Sequence, residues 1–251
     1  MKPFIQIVIL GSALLLAGCL ATAPVKQETR IDEVPMYGGM GRARTPEQKA
    51  ADEKFILGVT QHYGSRQKAG RVWVEQGFRF QKQDNLAMAM RRFNQAWLLD
   101  PVNAEVYAGF ATVLHDQGKN CEAMKMSDKA LTLNPPTFQG IYTDSASVAI
   151  LCAVNDKTLS PEAVNELLNR SEALFKKAEE IEPDKRYLYS SWATAYYWRE
   201  QYTEAWLMVA KARAVGAGTG AFVGTTSAGA DQPGKHFLNL LRAKMTEPAQ
   251  Q

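Results

Sequence analysis

A repeat of 34 residues constrains the fold of this 251-residue chain more than any other feature. It relates two sets of four residues, in which Ala89, Phe93, Ala96 and Pro101 return as Ala123, Ser127, Ala130 and Pro135. Small and aromatic residues at three- and four-residue spacing predict helices, and a proline after such a run ends the helix. A period of this size is typical of arrays whose units bury their apolar faces on one another. The sequence therefore predicts stacked helical units.

The first unit resembles the tetratricopeptide repeat (TPR), which is a helix–turn–helix unit. The matching residues are Trp73, Gly77, Phe80, Ala89, Phe93, Ala96 and Pro101, and only Gln76 departs from the family pattern. The second unit also matches, with Ala111 standing for the glycine and Ser127 for an aromatic residue. The resemblance implies an all-α fold, a right-handed superhelical stack of antiparallel helix pairs with N- and C-terminal capping helices.

We predict four repeats between two capping helices. The repeats cover residues about 70–103, 104–137, 138–185 and 186–219. The third carries an insertion around 155–161, because its later signature comes 14 residues late. Thr45-Pro46-Glu47-Gln48 is a capping box that opens an N-terminal helix over 45–64. After a Gly-rich stretch, residues 234–245 predict a C-terminal helix that covers the last unit.

The N-terminus resembles the signal of a bacterial lipoprotein. Lys2 precedes an apolar run of about 13 residues, which is shorter than the roughly 20 that span a bilayer. Leu16-Ala17-Gly18-Cys19 resembles a lipobox, which implies removal of residues 1–18 and acylation of Cys19. The alternative is an ordinary secretory signal that happens to contain a cysteine.

The residues after Cys19 favour a particular membrane and a flexible connection to the helical body. In lipoproteins an aspartate directly after the cysteine favours the inner membrane, and Leu20 follows here. The resemblance therefore implies a lipid anchor in the outer membrane, facing the periplasm. Residues 19–44 contain Pro24, Pro35 and three glycines, and they predict a lipidated, flexible tether.

Nothing in the sequence predicts catalysis, a metal site or a cofactor. His62, His115 and His236 lie apart, without a second histidine or cysteine at metal-ligand spacing. No serine occupies a nucleophile elbow, and the acidic residues are scattered along amphipathic helices. The formal net charge is only +3 and no basic run occurs, so nucleic acid is not an expected partner. We expect a protein that is not an enzyme.

Cys121 and Cys152 are predicted to form a disulfide. Export would place them in an oxidising compartment, where thiols pair. Cys121 opens the second helix of the second unit and Cys152 closes the first helix of the third, so antiparallel packing brings them together. The alternative is two buried thiols that pack as small apolar side chains.

TPR proteins bind ligands in a concave groove lined by the first helix of each unit. The positions that correspond to groove contacts here are occupied by Arg71, Phe78, Lys82, Thr112, His115, Tyr142, Tyr187, Tyr197 and Trp198. The implied surface is aromatic with a little positive charge. Val74 and Phe78 occupy positions where the chaperone-binding TPR family carries its carboxylate clamp. Capture of an acidic C-terminus is therefore not expected.

The resemblance implies a noncatalytic scaffold or adaptor that binds an envelope protein or peptide segment. One alternative is a pilotin-like assembly factor for a secretin or pilus. Another is a protein that binds glycans or peptidoglycan fragments, since Tyr and Trp faces stack on sugar rings. The oligomeric state is not predicted.

Overall fold

The computed structural model describes residues 30–38, 44–218 and 237–248, and in these ranges the chain forms helices and no strands. The α-helices are α1 (Pro46–Tyr63), α2 (Arg66–Lys82), α3 (Leu86–Leu99), α4 (Ala104–Asp116), α5 (Asn120–Leu131), α6 (Ile141–Asn155), α7 (Pro161–Ile181), α8 (Lys185–Trp198), α9 (Tyr202–Ala214) and α10 (Phe237–Lys244). Short 3-10 turns cover Ile31–Glu33, Pro35–Tyr37 and Thr137–Gln139. For these residues, the prediction of an all-α fold is confirmed.

Polar side chains determine where many of these helices begin. In α1 the Thr45 hydroxyl accepts from the Gln48 backbone N–H, and the Gln48 side chain accepts from the Thr45 N–H. This is the capping box that the sequence predicts. Side chains of five further residues cap later helices, namely Ser65, Asn85, Asn103, Ser160 and Asp184. These caps satisfy backbone N–H groups that have no partner within the helix.

The helices pack as four adjacent pairs, α2 with α3, α4 with α5, α6 with α7, and α8 with α9. Each pair falls within one predicted repeat, except that α2 begins at Arg66 rather than near residue 70 and α8 begins one residue early, at Lys185. Among the first helices of the pairs, α2 contacts α4 and α6 contacts α8, and α5 packs closely on α6. The insertion predicted around 155–161 falls at the turn between α6 and α7, and α7 is itself long, at 21 residues.

The ring of Phe93 fills the space between the first two pairs. Phe93 is completely buried. A Cβ atom on Gly77 would lie 2.5 Å from its Cε1 atom, and a Cβ on Gly109 would overlap the same ring. The two glycines therefore allow α2 and α4 to approach the ring closely. The sequence assigns the glycine position of the second unit to Ala111, but the structure gives this close approach to Gly109.

Glu182 closes the third pair by capping α6 from the turn after α7. Gly140, at the start of α6, has a left-handed φ of 71° and no side chain to cap the helix. The buried Glu182 carboxylate instead accepts from the backbone N–H of Tyr142 at 2.7 Å and from the hydroxyl of Thr143. The two ends of this longer pair are thus joined by a buried carboxylate rather than by a local cap.

Buried apolar side chains form two clusters that meet at α6. The first cluster extends from α2 to α5 and includes Ile141 and Val148 of α6. The second includes Ala146 and Ile150 of α6 and continues through α7–α10. A disulfide joins Cys121 in the first turn of α5 to Cys152 near the end of α6, with 4.8 Å between the Cα atoms. It is a covalent link at the boundary between the clusters.

Residues 30–38 are docked on α3, which corrects the prediction of a flexible tether over the whole of 19–44. The buried Asn94 side chain donates to the carbonyl oxygens of Asp32 and Val34, at 2.9 Å each, and accepts from the Tyr37 N–H. Arg91 forms ion pairs with Asp32 and Glu33. Asn94 thus forms hydrogen bonds with three backbone groups of residues 30–38. The sequence pattern does not indicate this docking.

The last helix, α10, covers α9. Phe237, Leu238 and Leu241 are buried, and the Trp206 indole N–H donates to the Met245 carbonyl at 3.2 Å. This is the capping position predicted for 234–245. The predictions for residues 1–29, including the signal and Cys19, and for the Gly-rich stretch and His236 lie outside the described residues. None of the helices described is long and apolar enough to cross a membrane.

Candidate functional site

A cavity of about 440 Å³ opens between α4, α6 and α8, the first helices of the last three pairs. Four of the nine predicted groove residues line it: Thr112, His115, Tyr187 and Trp198. Small side chains leave the space open, since alanine, serine or threonine occupies nine of the lining positions: Ala108, Ala111, Thr112, Ser127, Ser147, Ser190, Ser191, Thr194 and Ala195. The structure thus brings predicted groove residues of the second and fourth repeats to one concave site, and α6 of the third repeat supplies lining residues that were not predicted.

The other five predicted groove residues lie outside this cavity. Arg71 and Lys82 are exposed on α2, which does not line the cavity. Phe78 packs edge-on against Phe93, with ring centroids 5.0 Å apart. Tyr142 is packed against the second cluster. Tyr197 packs edge-on against Phe237 at 5.7 Å, so α10 uses its ring as a packing surface.

The positive charge expected of the groove surface does not extend to this cavity. It came from Arg71 and Lys82, and no lysine or arginine is among the residues that line the cavity. The charged carboxylate residues of the lining are Asp116 and Asp144. The cavity is therefore negative in character, although the chain as a whole has a formal net charge of +3.

Asp144, which the sequence analysis did not select, is the central polar residue of the site. The Tyr187 hydroxyl donates a hydrogen bond to Asp144 Oδ1. Burial removes the carboxylate from water and raises the pKa of Asp144 to about 6, a rise to which Glu182 and Asp116 add and which Tyr187 and His115 oppose. The charge of Asp144, with burial, holds the pKa of Tyr187 well above its ordinary value.

A signal for Asp144 was present in the sequence. It is the only charged residue of α6, a helix that is otherwise apolar or weakly polar. An ionisable residue in such a helix is unusual unless it is paired or functional. The family resemblance selected Tyr142 instead, two residues earlier. The Tyr142 side chain packs against the second apolar cluster and does not line the cavity.

The hydroxyl groups of the lining are arranged as hydrogen-bond acceptors. Four of them donate their proton to a carbonyl oxygen of their own helix: Thr112 to Ala108, Ser147 to Thr143, Ser190 to Arg186, and Thr194 to Ser190, at 2.7–3.1 Å. A hydroxyl has one proton to donate, so only the oxygen lone pairs of these groups remain for a ligand. The polar lining is therefore rich in acceptors.

Two further polar side chains of the lining, His115 and Trp198, are held in place. His115 Nδ1 lies 2.8 Å from Oδ1 of the buried Asn120, which fixes the imidazole ring. The Trp198 indole packs edge-on against Tyr197. Its buried N–H has no hydrogen-bond partner within the described residues.

Across the ranges that the structure describes, no group of three or more His, Cys, Asp or Glu side chains is arranged to hold a metal ion.

Asp144→Asn should stabilise the protein at neutral pH. The folded-state pKa of about 6 exceeds the ordinary 3.8, so the folded chain binds more protons than the unfolded chain between these values. Asp144 therefore lowers the free energy of unfolding as pH rises through this window. We expect the variant to be about 1–3 kcal/mol more stable at pH 7.5 and nearly unchanged near pH 4, measured by urea denaturation.

Asp84→Asn is the matched control, because Asp84 is exposed and its left-handed backbone suits asparagine equally well. It should leave stability unchanged at both pH values. Equal stability of Asp144→Asn and the unmodified protein at pH 7.5 would show that the Asp144 carboxylate is well solvated.

Comparison with known proteins gives no assignment. No family model matches the chain. No curated protein matches it either.

Proposed function

We propose that this protein is a noncatalytic binding scaffold, a TPR solenoid attached by lipid on Cys19 to the periplasmic face of the outer membrane. Its cavity between α4, α6 and α8 would receive a segment of another envelope protein. The observation that carries the proposal is the convergence of Thr112 and His115 from the second predicted repeat with Tyr187 and Trp198 from the fourth on this one cavity, which residues of the third repeat complete.

The packing of the helix pairs supports the TPR interpretation. Ala89, Phe93 and Ala96, which define the 34-residue period, are completely buried. Gly77 contacts the Phe93 ring so closely that any larger residue would displace it. The residues that carry the resemblance are therefore those that hold neighbouring helices together, as the repeat requires.

The cavity suits binding better than catalysis. Its volume of about 440 Å³ lies in the range of ligand-binding sites. Four of its serine and threonine hydroxyls donate their protons to backbone carbonyls rather than to a base that could activate them. Asp144 and Tyr187 hydrogen-bond to each other within a wall of small side chains. Fixed polar groups around an open space can orient a ligand without reacting with it.

An affinity purification from envelope extract tests the proposal. The bait is the full-length lipidated protein, compared with a Ser147→Phe, Thr194→Phe variant that fills the cavity from α6 and α8. We expect an envelope protein to be lost from the blocked variant, and its purified form to bind the unmodified protein at least tenfold more tightly. Gln83→Phe is the control, because Gln83 is exposed at the turn after α2.

The result separates the possible roles. Recovery of the same proteins by the blocked variant, with its helical content intact, would refute binding in the cavity. A captured secretin subunit would identify an escort for that assembly. Binding of purified peptidoglycan fragments in place of any protein would identify a glycan-binding role. Cys19→Ala should move the protein from the membrane fraction to the soluble periplasm if Cys19 carries the lipid.

A further inference from the structure

We infer that the cavity between α4, α6 and α8 recognises a lysine or arginine side chain within an extended basic segment of a partner protein. The inference rests on the proposed function and specifies the chemistry of the segment that the scaffold binds.

The charge of the cavity complements a cation. Asp116 and Asp144 line it, and the buried carboxylate of Glu182 lies close enough to raise the pKa of Asp144. The lining contains no lysine or arginine. Charged pairs of opposite sign attract strongly where water is partly excluded. These carboxylates accept hydrogen bonds from Gln81, Tyr187 and the start of α6, but an acidic or neutral segment would bring no opposite charge to them.

The hydrogen-bonding pattern also suits a cation. The hydroxyls of Thr112, Ser147 and Thr194 each donate their one proton to a backbone carbonyl oxygen. Asp144 accepts from Tyr187 at Oδ1, while Oδ2 accepts from none of the described residues. The free groups are thus mainly acceptors. A lysine ammonium brings three donors and an arginine guanidinium five, and neither group has an acceptor.

The length of the cavity favours a peptide over a small amine. Tyr187 and Trp198 both line it and lie eleven residues apart on α8, which corresponds to about 16 Å along the helix axis. An extended segment of about five residues has this length. Apolar lining residues, including Ile141, Val148 and Leu151, provide a surface for the methylene stem of a long basic side chain.

Peptide mixtures of defined central residue test the inference. Acetylated and amidated pentapeptides, randomised at four positions and fixed at the centre as Lys, Arg, norleucine or Glu, are immobilised, and retention of the full-length protein is measured. We expect at least tenfold stronger retention on the Lys and Arg mixtures than on the other two. Asp144→Asn should reduce this preference about tenfold or more, because a hydrogen bond to a charged group is lost. Asp84→Asn should leave it unchanged.

Equal retention on Lys, norleucine and Glu mixtures, or no retention on any of them, would overturn the inference. Release of the protein by free cadaverine at the concentration of the Lys peptides would overturn the peptide assignment in favour of small amines. If the blocked variant loses an envelope partner but Lys preference is absent, only this inference fails. If Lys preference is present but no envelope partner depends on the cavity, only the proposed scaffold role fails.

Discussion

Phe93→Ala should lower the free energy of unfolding by about 3–5 kcal/mol, measured by urea denaturation with far-UV circular dichroism. Phe93 is completely buried, and its ring lies edge-on to Phe78 at 5.0 Å and to Phe110 at 6.3 Å. Removing the ring loses its burial and leaves a cavity between the first two helix pairs. The flanking Gly77 and Gly109 have no side chains that could fill this space.

The control for this prediction is Phe138→Ala. The Phe138 side chain is 69% exposed, so its removal should change stability by no more than about 0.5 kcal/mol. Phe93→Leu should fall between the two, since leucine restores part of the volume. A loss below about 1 kcal/mol for Phe93→Ala would mean that α2, α3 and α4 close over the vacated space, and that the 34-residue period does not mark the packing centre.

Loss of the disulfide should cost about 3–4 kcal/mol. Cys121 and Cys152 are separated by 31 residues, and closing a loop of this length restricts the unfolded chain by about that amount of free energy. Reducing agent should therefore lower the urea midpoint of the unmodified protein. The Cys121→Ala, Cys152→Ala variant should show a similar midpoint with and without reducing agent.

The variant is also the control for indirect effects of the reducing agent. If the agent lowers the midpoints of the variant and the unmodified protein equally, the disulfide is not the cause. An unchanged midpoint in both would indicate that packing of α5 on α6 alone holds the boundary between the two apolar clusters.

The helical architecture was predictable because its signals are local. Two of these signals, the caps at Thr45 and Ser160, reflect contacts at the start of a single helix. The period through Phe93 reflects contacts between helices that lie close together along the chain. Pairing of Cys121 with Cys152 followed from the expected antiparallel packing of two helices joined by a turn. Such features depend on residue type and spacing, which the sequence gives directly.

The candidate site was predictable only in part, because a groove position does not determine where a side chain packs. Phe78 and Tyr197 occupy groove positions of the repeat, yet both rings pack against other aromatic residues. Asp144 was missed because its importance arises from Tyr187 and Glu182, which are distant in sequence. The docking of residues 30–38 likewise depends on the single distant residue Asn94.

The attachment of residues 30–38 to α3 limits how far the protein can stand from a lipid on Cys19. Arg30 follows Cys19 by only eleven positions, and a fully extended chain of that length spans at most about 36–40 Å. A free segment reaching to Arg44 would span more than twice this distance. With Cys19 in the outer membrane, Arg30 would remain within about 40 Å of its surface. The protein would then recruit its partner to the membrane rather than reach across the periplasm to find it.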